Sequence, residues 1–160
     1  MKRKSGFTII ELMVAIALLG VLLGLGFPSF QSMIQDNRAA TVTNQLVTAL
    51  HTARSEAVKR RANITLCRRN TAGDSCASGT DWSVGWLLYD GTEAVKVWDA
   101  PGDSMAIAGP SSGITYTSTG AVGSAGNFSL QPTGCSDSEF RRTISVALSG
   151  LPVTSKVDCQ

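Results

Sequence analysis

The sequence predicts an α+β fold for this chain of 160 residues. One long N-terminal helix, membrane-spanning in its first half and amphipathic in its second, packs on antiparallel β-sheets of a small globular head. Three observations predict it. An apolar run extends from Phe7 to Phe27. A stretch free of Pro and Gly follows from Ser29 to Arg61, with apolar residues at helical spacing. After Arg61 the chain breaks into short β-like runs between Gly-rich turns.

The apolar run sets the first element. At ~1.5 Å per residue it gives a helix of roughly 30 Å, about one bilayer core. Lys2, Arg3 and Lys4 precede it and favour a cytoplasmic start. A secretory signal peptide has an apolar core of about 7–15 residues and a small-residue cleavage site. This run is too long, and no such site follows it. A plain anchor accounts for the length but not for Glu11, since a carboxylate in the bilayer costs ~2.5–3.5 kcal/mol at mid-helix, less near an end.

In the second element Ala39, Val42, Leu46, Leu50, Ala53 and Ala57 recur in steps of three and four, so they mark one helical face. Asn37, Arg38, Asn44, Gln45 and Glu56 occupy the others. In the head, Asn63–Arg68 reads as a strand. Trp82–Asp90 reads as another, with Trp82, Val84, Trp86 and Leu88 on one face. Asp90-Gly91 signals a turn into Ala94–Trp98. Further strands are expected at Met105–Ile107, Ile114–Thr117, Asn127–Gln131, Phe140–Leu148 and Val153–Val157. In the seventh of these eight, Ile144, Val146 and Leu148 share a face.

Composition narrows the class. Hydrophobic residues make up 43% and charged residues 16%, which excludes a wholly disordered chain. Setting aside Lys2, Arg3 and Lys4 among 14 basic residues, and Glu11 among 12 acidic ones, leaves 11 of each. A formally neutral head is not a strongly basic nucleic-acid domain. Four cysteines, Cys67, Cys76, Cys135 and Cys159, stand in a chain with an export segment, which suggests disulfides. Three pairings are open. Cys67–Cys76 and Cys135–Cys159 are favoured because each closes the shorter loop in its region. Zinc is disfavoured, because there is no CxxC pair and His51 is the one histidine.

The stretch Lys4-Ser5-Gly6-Phe7-Thr8-Ile9-Ile10-Glu11 resembles the precursor signature of the type IV pilin superfamily. The resemblance implies a prepilin peptidase that cuts between Gly6 and Phe7 and methylates Phe7. It implies that the apolar helix is kept, first as an inner-membrane anchor and then as the core of a filament made with other pilin or pseudopilin subunits. It assigns Glu11 to a pairing with the amino terminus of a neighbouring subunit, and the physics agrees, since a buried carboxylate needs a cation. Pro28 stands where many members have a helix-bending proline. The implied organisation is a leader at 1–6, a transmembrane and filament-core helix at 7–27, an amphipathic helix at 28–61, and a periplasmic or extracellular head at 62–160.

Within that superfamily the layout is similar to GspH/FimT-type minor pilins and pseudopilins. The similarity rests on the N-terminal signature, on Ala53–Arg61 as the end of the family helix, and on Trp82–Asp90 as its aromatic-Gly-Trp strand. It implies a low-copy subunit that helps start assembly near the tip of a type IV pilus. The same features suit the H-type minor pseudopilin of a type II secretion system, and the local sequence does not separate the two; the pilus is the preferred reading.

No enzyme is expected. His51 sits mid-helix among polar neighbours, no G-x-S-x-G, HExxH or P-loop occurs, and no cofactor is implied. Arg54, Lys59, Arg60, Arg61, Arg68 and Arg69 crowd the helix end, where the dipole alone favours cations. Some FimT-like pilins bind DNA through a C-terminal Gly-Arg-x-Arg motif. The matching place here is Gly150-Leu151-Pro152-Val153, and both arginines are absent, which argues against DNA as a partner. The rival reading is a DNA-binding competence pilin, in which Arg141, Arg142 and Lys156 are the expected contacts. Trp82, Trp86, Tyr89 and Trp98 are expected to fill the core rather than form a binding face.

Overall fold

The structure, a computed structural model, describes residues 6–102, 104–135 and 140–159; the side chains of residues 22–32 and of Phe140 lie outside the description. Most of the expected leader at 1–6, with the basic patch at Lys2–Lys4, therefore lies outside the described residues. The elements are α1 (Ile9–Arg60), β1 (Ile64–Arg68), β2 (Gly85–Tyr89), β3 (Ala94–Asp99), β4 (Met105–Ala108), β5 (Ile114–Tyr116), β6 (Gly126–Pro132), β7 (Phe140–Val146) and β8 (Pro152–Asp158). The chain divides into two compact units, Met1–Gln35 and Asp36–Gln160.

From Ile9 to Val21, apart from Glu11, α1 is apolar on every side. Phe7, Ile9, Ile10, Met13, Ile16, Leu18, Leu19 and Val21 are all exposed. A helix without a polar face has nothing to offer water.

The second unit is the head. It holds two antiparallel four-stranded sheets, ordered β3-β2-β1-β5 and β4-β6-β7-β8. The helical stripe read from the sequence is the part of α1 they close on. Ala39, Val42, Leu46, Ala49, Leu50, Ala53 and Ala57 are buried in one cluster with Ile64, Leu66, Trp86 and Leu88 of the first sheet and Ile107, Phe128, Leu130, Ile144 and Val146 of the second. Each large apolar side chain in such a core contributes about 1.5–3 kcal/mol. Trp82 meets Phe128 edge-on at a centroid distance of 4.9 Å and donates its indole N–H to the Pro110 carbonyl at 3.2 Å.

Helix α1 ends in a Schellman motif. Ala62 N–H bonds the Ala57 carbonyl, Arg61 N–H bonds the Val58 carbonyl, and Arg61 takes the left-handed conformation at φ 53°. The chain reverses there into β1.

Three sequence expectations need correction. Tyr89, expected in the core with the tryptophans, is only half-buried and lies on the far face of the first sheet with Leu87, outside the core cluster. The strand expected from Trp82 starts at Gly85 instead. Gly85 has φ 99°, and a Cβ there would run into the Trp98 carbonyl, so the chain turns at Ser83–Val84 before pairing begins. Trp82 still reaches the core, but from the connecting segment. Leu148 does not share the buried face of Ile144 and Val146. β7 stops at Val146, and Leu148 lies in the following turn, exposed.

Disulfides join Cys67 to Cys76 and Cys135 to Cys159. Closing loops of 9 and 24 residues stabilises by about 2.5 and 3.5 kcal/mol on a chain-entropy estimate. The first folds the segment after β1 back along the strand, where Arg69 and Cys76 form a bridge. Cys67 pairs in register with Leu87, and both are buried on the sheet face away from the helix.

Gly150 fixes the end of the second sheet. It has φ 77°, its carbonyl accepts the Tyr116 hydroxyl at 3.2 Å, and an added Cβ would strike the Gly120 carbonyl oxygen. Burial pushes the Tyr116 phenol up to about 12, so it remains a donor. Gly150→Ala should therefore destabilise the head by about 2 kcal/mol or more. Thermal unfolding followed by circular dichroism checks this; an unchanged midpoint would contradict the close approach.

Candidate functional site

The candidate site begins at the start of α1. Thr8 is its N-cap. The Thr8 hydroxyl oxygen accepts the Glu11 N–H at 3.3 Å, and the Thr8 carbonyl accepts the Leu12 N–H at 3.2 Å. Thr8-Ile9-Ile10-Glu11 has the T-x-x-E order of a capping box. This gives Glu11 a place in the first turn, where a carboxylate favours the positive end of the helix dipole. The Thr8 cap escaped the sequence reading although its signal stood in the chain. Gly6 and Phe7 lie just ahead of the cap, outside the helix, and are exposed. Glu11 is exposed on a surface that is otherwise apolar.

Among the described residues no helix is long and apolar enough to cross a membrane.

In the head, the structure brings Arg142 and Lys156 together and leaves Arg141 apart from them. Arg142 and Lys156 are register partners on β7 and β8. Both reach Asp36 of α1, Lys156 Nζ at 2.9 Å and Arg142 Nη2 at 3.4 Å. The hydrogen bond from Lys156, aided by the charge of both cations, holds the Asp36 carboxyl below its ordinary range. Two of the three residues expected to touch DNA thus face a carboxylate. Arg141 points to the other sheet face by the alternation of β7. Leu151 and Val153, standing where the DNA motif would carry arginines, are exposed.

The cations at the helix end are also largely engaged. Arg60 bonds Glu56 at 2.8 Å and Asp90 at 3.5 Å. Arg68 donates to the Asp81 carbonyl, and Arg69 donates to the Val84 carbonyl and to Asp99. His51 is exposed and lines an open cleft with Arg54, Ser55, Val58, Lys59 and Thr119. Among the described residues no cluster of His, Cys, Asp and Glu could hold a metal ion.

The head, with its helical stripe and two sheets, is matched by a family model described as type II transport protein GspH over residues 42–150. The chain belongs to the GspH family. A second model, the prokaryotic N-terminal methylation motif, matches residues 1–27. Two solved structures of the type IV minor pilin FimU from Pseudomonas aeruginosa share the fold. One is 20% identical at TM-score 0.54, covering 75% of this chain and 91% of FimU. The other is 18% identical at TM-score 0.56, covering 78% and 90%. The minor pseudopilin EpsH of the type 2 secretion system of Vibrio cholerae is 10% identical at TM-score 0.50, covering 76% of this chain and 97% of EpsH.

In this GspH-family head the hairpin after β2 is set by Asp90. Its carboxylate accepts the N–H groups of Thr92 and Glu93, both at 2.9 Å, and the Thr92 hydroxyl at 2.8 Å. Those bonds, led by Glu93 N–H, lower its pKa from 3.8 to about 2, with Arg60 adding a smaller pull. A depressed folded-state pKa gives stability that is present above the unfolded value and lost as pH falls through the folded one. The thermal midpoint should therefore drop between pH 4 and pH 2, and Asp90→Asn, which keeps the acceptor oxygen, should flatten part of that drop. Equal slopes for the two proteins would contradict this role.

Proposed function

We propose that the chain is a minor pilin of a type IV pilus, a low-copy structural subunit that helps initiate assembly at the tip, with no enzymatic activity. The observation that carries this reading is the first unit: a helix apolar on all sides, interrupted by one carboxylate in its first turn, directly after a Gly6-Phe7 junction. Such a surface has to be covered, first by lipid and then by the helices of other subunits.

The processing chemistry follows from the same residues. The prepilin peptidase cuts the Gly6–Phe7 peptide bond and methylates the Phe7 amine. That amine is a positive charge at the positive end of a helix dipole, which is unfavourable. A carboxylate near it offsets the cost, and Glu11 of an adjacent subunit supplies one while losing its own burial penalty. Residues 7–27 hold the protein in the inner membrane with the head in the periplasm, and residues 28–61 carry the helix into the head at 62–160. Cys67, Cys76, Cys135 and Cys159 form their bonds in that oxidising compartment.

A second reading, the H-type minor pseudopilin of a type II secretion system, is favoured by the description of the matching family model and by the likeness to EpsH. The likeness to FimU, at higher identity and TM-score, favours the pilus. Both readings use the same N-terminal chemistry.

Glu11→Ala should lower incorporation into filaments at least tenfold while leaving head stability within about 0.5 kcal/mol, because Glu11 is an exposed residue of the other compact unit. Immunoblots of sheared surface filaments and of membranes measure it. Loss from the sheared fraction supports the pilus reading, wild-type protein confined to membranes moves the assignment to the secretion pseudopilus, and normal incorporation of the variant overturns the charge pairing.

A further inference from the structure

We propose that the head carries a binding cleft for a neutral saccharide, lined by Thr41, Asn44, Gln45 and Thr48 of α1 and by Trp98 of β3. The cleft has a volume of about 320 Å³, at the small end of the ~300–1,000 Å³ typical of ligand sites. All five residues belong to the head unit. The inference goes beyond the assembly role and does not rest on it.

The sequence places the four helix residues at i, i+3, i+4 and i+7, so they share one face of α1. That face is separate from the apolar stripe, and all four residues are exposed. β3 is an edge strand of the first sheet. Trp98 pairs in register with Trp86, a core residue, so both point to the helix side of the sheet. At the sheet edge Trp98 is only partly buried. Part of its ring packs on the core, which holds it in place, and the rest borders the cleft.

The chemistry of the lining selects the ligand. The indole offers a flat apolar face with a negative quadrupole, which attracts the polarised C–H groups of a sugar ring. Asn44 and Gln45 each offer a carbonyl acceptor and an N–H₂ donor, and both are exposed. Thr41 and Thr48 donate their hydroxyl protons to the Asn37 and Asn44 carbonyls, at 2.9 and 2.7 Å. Their remaining lone pairs can accept from ligand hydroxyls. None of the five lining residues is charged. The Lys96 ammonium lies over the Trp98 ring, 4.8 Å from its centre, so a sugar packs on the part of the indole that Lys96 and the core leave open. An aromatic face beside uncharged donors and acceptors suits a polyhydroxyl ligand better than an ion.

The test uses the full chain in micelles of a detergent without a sugar headgroup. Cellotetraose, maltotetraose and chitotetraose are titrated separately, followed by tryptophan emission and saturation-transfer NMR. At least one should bind with millimolar affinity or better and shift the emission. Trp98→Ala should abolish the signal. The double variant Asn44→Ala, Gln45→Ala should weaken binding about fivefold or more for each hydrogen bond lost. Because both positions are exposed, this variant should melt with the wild type, so the test survives if Trp98→Ala fails to fold. No binding of any of the three sugars overturns the proposal. So does undiminished binding by the double variant, or binding of a proline-rich decapeptide where the sugars fail.

Discussion

The alanine-rich stripe of α1 is the surface on which both sheets of the head close. Ala39, Ala49, Ala53 and Ala57 are fully buried beside Leu46 and Leu50. Small side chains let the sheets approach the helix backbone, and the leucines fill the space between them. The arrangement leaves the other faces of α1 free to carry polar groups. Asp36 meets the second sheet through Arg142 and Lys156, and Glu56 holds Arg60 toward the β2–β3 hairpin. The two disulfides then restrain the connections that the core does not reach.

The first unit obeys a different constraint. From Phe7 to Val21 nearly every side chain is apolar and exposed. Water is the wrong solvent for such a helix, while lipid and other helices of the same kind are the right ones. Glu11 is the exception, and its position in the first turn, beside the Thr8 cap, gives a physical reason for its tolerance. A carboxylate there stabilises the helix start in the lone subunit.

Much of the fold was legible in the sequence because its signals are local. The helical period marked the buried stripe, and Asp90-Gly91 marked the hairpin. The failures have local causes as well. The alternation Trp82, Val84, Trp86, Leu88 continues through Gly85, and hydrophobic pattern alone does not reveal that this glycine turns the chain at positive φ. Leu148 continues the period of β7 past the point where pairing with β6 and β8 stops. Leu87 is buried on the far face of its sheet, where strict alternation would expose it. At the site, the Gly6-Phe7-Glu11 spacing was readable, whereas the bonds of Arg142 and Lys156 to Asp36 span 106 and 120 residues and leave no trace in a local pattern. The Trp98 cleft is likewise a product of sheet register, not of any motif.

The central claim is that the chain becomes an assembling subunit by losing its first six residues. The direct measurement is the intact mass and N-terminal sequence of the protein recovered from cells with and without the prepilin peptidase. The account predicts an N-methylated chain beginning at Phe7 when the peptidase is present, and the uncut chain when it is absent. A chain that keeps residues 1–6 in the presence of the peptidase, or one cut elsewhere whether or not the peptidase is present, would contradict it.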